Sequence, residues 1–142
     1  MLFRSGNNAL SALTPLIRAR LCTVLQRWDE AIELFDAFMD QGQREGLSHG
    51  YAHLQVTRAW CLWQVGRVVA AADGLAQAQH GVDAQRDADD RAGTHARLAA
   101  LSARMGRTAQ AEMHQRQAEE ALQAHRDDVA RMAVQLARVT DV

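Results

Sequence analysis

The sequence has no lysine, one proline at Pro15, two cysteines and only seven aromatic residues. Each scarcity excludes something. Without lysine there can be no G-x-x-x-x-G-K-[ST] phosphate loop. Two cysteines, Cys22 and Cys61, cannot form a disulfide scaffold and read as packing residues on helix faces. The sixteen basic residues, all Arg, face seventeen acidic ones, so the basic excess that marks a nucleic-acid partner is missing. The longest apolar runs are too short to cross a membrane. An apolar content of 48% is too high for a disordered chain. What is present instead is alanine, 27 residues in 142. An Ala-rich chain with almost no proline is a helical composition, and the expected class is all-α. Arg without Lys, together with so much Ala, is what a GC-rich coding sequence produces, so a bacterial origin is expected. No secretory signal pattern opens the chain, so the expected location is cytoplasmic.

Residues 1–7 read as a disordered or non-native start. Met1-Leu2-Phe3-Arg4-Ser5 can be encoded in frame by a common sequencing-adapter string.

An internal period of 40 organises the rest. Ala12, Ala52 and Ala92 align, as do Ala19, Ala59 and Ala99, then Arg27, Arg67 and Arg107, then Ala31, Ala71 and Ala111. Gln26, Gly66 and Gly106 share one position. Leu21, Cys61 and Leu101 follow with substitution, as do Phe38, Ala78 and Ala118. Each unit reads as two helices joined at the shared turn position, where Gly accepts positive φ without strain. The expected helices are Asn8–Gln26 and Trp28–Arg44, then Ser48–Val65 and Val68–Arg86, then Ala88–Met105 and a longer one from Thr108. The stretch from Gln41 to Gly46 is the expected link between the first two units. One helix pair cannot bury its apolar face alone, so the units are expected to stack, with the recurring Ala allowing close approach.

This pattern resembles the tetratricopeptide repeat (TPR). The family's second helix carries a small turn residue, then a small, a large and a small residue. Here that series is Gly66, Ala71, Leu75, Ala78 and again Gly106, Ala111, Gln115, Ala118, while the first unit has Trp28, Ala31, Phe35 and Phe38. The chain departs from the family in its 40-residue period, against the usual 34, and in lacking the proline that ends the family's second helix. The resemblance implies TPR-like antiparallel helical hairpin repeats in three units over residues 8–125 (8–47, 48–87 and 88–125), with a long C-terminal helix.

The resemblance also implies a concave groove lined by the first helices. Carried over by position, its candidate residues are Arg20 in unit one, His53, Val56, Trp60, Trp63 and Gln64 in unit two, and Arg104 in unit three. Trp and Arg are enriched at binding hot spots. For Trp60 and Trp63, core filling is an equal alternative. The family's clamp for acidic peptide tails uses Lys and Asn, where this sequence has Val56 and Trp60, so that specificity is not expected. The expected partner is a protein or peptide.

After Gly106 neither Gly nor Pro occurs, so residues 108–139 read as one helix about 48 Å long. Its later part, 118–140, steps through Ala118, Leu122, His125, Val129, Met132, Leu136 and Val139 by alternating fours and threes. This is a heptad seam. It reads either as a homodimeric coiled coil or as a cap lying on the last repeat. The closing Leu136-Ala137-Arg138-Val139-Thr140-Asp141-Val142 resembles the signalling helix that leads into GGDEF-type diguanylate cyclase domains.

No catalytic constellation is legible. His49 and His53 are spaced i,i+4 but lack the Glu and third ligand of a zinc motif, and two polar histidines at a helix start is the simpler reading. His80, His95, His114 and His125 show no ligand spacing, and no metal or cofactor is expected. The expected function is therefore non-catalytic: a binding or sensor module regulating an attached output domain, with a diguanylate cyclase as the expected output. The alternatives are an effector-binding fragment of a maltose-activator-type transcription regulator and a free-standing TPR scaffold.

Overall fold

The computed structural model describes residues 11–141, and of Ser48 and His49 the backbone alone. The expected start at 1–7 and the first residues of the helix expected from Asn8 lie outside that range. Among the described residues the chain is all-helical, with no strand. Six α-helices follow in order: α1 Leu13–Val24, α2 Trp28–Arg44, α3 Tyr51–Gln64, α4 Val68–Gly81, α5 Ala88–Arg104 and α6 Thr108–Thr140. Short 3-10 turns at Leu47–Gly50 and Val82–Ala84 stand where sequence periodicity extended α3 and α4. The helix expected to end at Arg44 does so, so most of the expected link at 41–46 is helical and the connection begins at Glu45.

The 40-residue period appears directly in the turns. Gln26, Gly66 and Gly106 all have positive φ, at 60°, 83° and 75°. In each turn that residue's N–H donates three residues back, to Thr23, Trp63 or Ala103, at 3.1–3.2 Å. The following Arg27, Arg67 or Arg107 N–H donates five residues back, to Cys22, Leu62 or Ser102, at 2.8–2.9 Å. These two bonds define the Schellman motif, which satisfies carbonyls left open at a helix end. Each Arg carbonyl then accepts the N–H of Ala31, Ala71 or Ala111, opening the next helix. Gln26 takes the left-handed conformation without being Gly.

The chain divides into two compact units, one ending at Ala84 and one beginning at Gln85. In the first, hairpins α1–α2 and α3–α4 pack together through α2 and α3. Phe35, Val56, Leu62 and Leu75 are fully buried there, among Ala19, Ala31, Ala59, Ala71 and Ala78. Gly74 lets α4 approach α3 closely: a Cβ there would lie 2.9 Å from that of Ala59. Glu45, just past α2, holds the start of α1. Its carboxylate accepts from Ser11 Oγ at 2.7 Å and from the Ala12 N–H at 3.1 Å. These bonds and one from Gln41 keep its carboxyl below the usual range.

The second unit is the α5–α6 hairpin. Ala88, Ala92 and Ala99 on α5 and Ala118 and Ala121 on α6 are buried. Ala111 is only half-buried, unlike Ala31 and Ala71 at the equivalent positions. Every residue from Arg126 to Asp141 is exposed, so the later half of α6 does not lie down as a cap.

Candidate partner-binding surface

Two faces of the first unit carry the side chains most suited to recognition. The first is on α3. His53, Trp60 and Gln64 share one stripe at seven- and four-residue spacing, and all three are half-buried. Trp63 is also half-buried, on the side nearer the core, so neither indole is pure core filling and each leaves an edge at the surface. Val56 is a correction: it is fully buried and belongs to the core, because its place on α3 turns it inward rather than out to a groove. The first helices of the two hairpins lie side by side, with Thr23 Oγ1 3.3 Å from Cys61 Sγ. Arg20, 40 residues before Trp60, is exposed on α1. Arg104 is exposed near the end of α5 in the second unit.

A cleft of about 220 Å³ opens among α2, α3 and α4, and sequence reading did not find it. Phe35 and Met39 form its apolar part, and Asp36, Asp40, Tyr51 and Arg58 its polar part. Arg58 Nε donates to Asp36 Oδ1 at 2.7 Å. Burial, with the Asp40 carboxylate adding to it, pushes the Tyr51 phenol above its ordinary range. The phenol therefore stays a neutral hydrogen-bonding group. Asp36 and Asp40 sit one turn apart on α2, but nothing in their spacing announces that α3 and α4 close a cleft beside them.

The other missed feature is a buried histidine pair in the second unit. His95 on α5 and His114 on α6 place their Nδ1 atoms 3.1 Å apart, and both rings are almost wholly buried. One ring must donate and the other accept, so the neutral pair needs complementary tautomers. The residues lie 19 apart on different helices, and the equivalent positions in the preceding hairpin hold Gln55 and Gly74, so neither spacing nor the repeat reveals the pair.

The seam residues on α6 are outward. His125 is half-buried, whereas Leu122, Val129, Met132, Leu136 and Val139 are exposed, the last two to about 70%. Both thiols are buried, and burial raises that of Cys22, which suits packing rather than redox chemistry. Among the described residues no group of three His, Cys, Asp or Glu could hold a metal ion. The side chain of His49 lies outside the described residues. No described helix is long and apolar enough to cross a membrane.

No protein-family model matches the chain, and neither the curated proteins nor the solved structures contain a match to it.

Proposed function

We propose that the chain is a non-catalytic interaction module built from TPR-like helical hairpins, whose last helix joins two copies and passes the bound state to an attached output domain. The observation that carries this reading is the exposed heptad seam of α6. Leu122, Val129 and Leu136 take one core position of the heptad; His125, Met132 and Val139 take the other. A fifteen-residue stretch of helix exposed throughout, yet keeping a regular apolar stripe, has little reason to persist unless the stripe is covered. The half-buried Trp60 and Trp63 and the exposed Arg20 supply the residue types that anchor protein or peptide partners. The resemblance of the closing residues to GGDEF-linked signalling helices makes a diguanylate cyclase the output domain this reading favours, since such domains act in pairs.

Sedimentation equilibrium of the wild type and of Leu136→Asp tests the reading. Leu136 is exposed, so the variant keeps the fold while losing the seam. A concentration-dependent dimer for the wild type and a monomer for the variant are expected. Equal, monomeric masses for both would overturn the coupling role of α6.

A further inference from the structure

Helix α1 is apolar on two opposite sides, and only one of them is covered. Ala12, Leu16, Ala19, Cys22 and Thr23 are buried against the rest of the first unit. On the other side Leu13, Ile17, Leu21 and Val24, continued by Leu25, are 36–76% exposed. At 100° per residue the first four fall within an arc of about 80°. Arg20 borders that arc on one edge and Arg18 on the other, and α1 contains no acidic residue.

The second hairpin shows what such a face meets. Cys61, 40 residues after Leu21, is fully buried and touches Thr23 of the preceding hairpin. Thr57, 40 residues after Ile17, is also buried. On α3 the middle of this face, Thr57 and Cys61, is closed by helical packing while its ends, His53 and Gln64, are half-buried; on α1 the whole face is open and its residues are larger and more apolar. A second copy fits this face poorly through its own α1. Two-fold pairing of α1 with itself would set Arg18 and Arg20 of both copies around the contact with no carboxylate on either helix.

We infer that this face of α1 receives an amphipathic helix from a protein partner, one whose apolar stripe is flanked by Asp or Glu. Leu13, Ile17, Leu21 and Val24 take the stripe, and Arg18 and Arg20 meet the carboxylates along its two edges. The inference does not depend on α6, because the two surfaces lie on different helices.

Two fluorescein-labelled helical peptides test it. They share one leucine stripe at i, i+3, i+4, i+7 spacing, flanked by Glu in one and by Lys in the other. Anisotropy titrations use the full chain carrying Leu136→Asp, so that self-association through α6 does not intrude. The Glu peptide is expected to bind at least about fivefold more tightly than the Lys peptide, the order expected for two exposed charge contacts. Ile17→Glu and Leu21→Glu, both at exposed positions, are expected to keep the helical spectrum and weaken Glu-peptide binding by about tenfold or more. Arg18→Glu with Arg20→Glu is expected to reverse the preference between the peptides. Equal affinity for the two peptides, absence of reversal, or unchanged binding in the Ile17 and Leu21 variants would overturn the inference. So would a dimer in the Leu136→Asp background that Leu21→Glu makes monomeric, since the occupant would then be a second copy.

Discussion

The α3–α4 hairpin and the α5–α6 hairpin share their turn but not their core. Both turn on a glycine of positive φ with the same pair of backbone bonds, and both enter the following helix through an Arg carbonyl. Beyond the turn they diverge. At the position where Phe35 and Leu75 fill the first unit completely, the later hairpin has an exposed glutamine, Gln115. Where α4 presents Gly74 to α3, α6 presents His114 to His95. The turn therefore fixes the geometry of a hairpin, and the side chains at the same repeat positions decide whether its second helix contributes a large apolar group, as Leu75 does, or only alanine and one ring of a polar pair, set beside the buried Leu98 and Leu101 of α5. Apolar burial gives the first unit stability that depends little on pH. The second rests partly on a hydrogen bond between titratable rings.

The largest expected difference lies at the shared large position. Leu75→Ala opens a cavity in a filled core and is expected to cost about 2–5 kcal/mol, whereas Gln115→Ala on the surface is expected to stay within about 0.5 kcal/mol. Urea denaturation of the two variants checks this, and similar costs would break the contrast. Next comes the small position. Ala71→Leu overpacks a fully buried contact and is expected to cost about 1–3 kcal/mol, while Ala111→Leu, at a half-buried site, is expected to cost less. Thermal melts of the pair rank them.

Between pH 7.5 and 5 the larger pH effect should come from the second unit. The His95–His114 pair can hold one proton as a charge-assisted bond, but a second would place two imidazolium rings about 3 Å apart in a buried seam. One turn before His95 lies Arg91, whose guanidinium is engaged with the carbonyls of Gln85 and Arg86. The unfolded chain takes up both protons, so it binds more protons than the fold in acid. The pair's hydrogen bond is therefore expected to contribute near neutral pH and to be lost in acid, where a second proton is forced onto the pair. Melting of the wild type and of His95→Gln with His114→Ala between pH 7.5 and 5 should show a slope only in the wild type.

Glu45 gives the smallest effect, and the opposite unit shows it. Its carboxyl is held below the usual range by bonds from Gln41, Ser11 and the Ala12 N–H. A lowered folded pKa means that its contribution is present above the ordinary glutamate range and lost as pH falls through the folded value. Glu45→Gln should speed amide exchange at the first turn of α1 near neutral pH and leave α5 and α6 unchanged.

The sequence revealed the hairpins because their turns are local. A left-handed residue at 26, 66 and 106 is set by neighbours within five positions, and the period makes those positions visible even where Gln26 replaces Gly. Helix ends were less legible, since the 3-10 turns at Leu47–Gly50 and Val82–Ala84 continue the apolar pattern without continuing the α-helix. The surface was least legible. Periodicity marks Val56 and Trp60 alike as facing something, but only packing separates the buried Val56 from the half-exposed Trp60. The two apolar sides of α1 differ in size, small Ala12, Ala19 and Cys22 on the covered one and larger Leu13, Ile17 and Leu21 on the open one, and only the recurring alanines of the repeat hint at which is covered. The cleft beside Tyr51 and the histidine pair are made by residues from different helices, so they exist only after the helices meet.

Amide exchange along α6, followed at rising protein concentration, tests most directly whether this helix is a partner-seeking extension of the hairpins. Residues 122–139 should be weakly protected when dilute and become protected as concentration rises, while α1–α4 keep the same protection throughout. Strong protection of residues 126–141 at every concentration would mean that the segment packs on its own chain. Fast exchange at every concentration would mean that the seam has no partner in a second copy. Either result would contradict the coupling role assigned to α6.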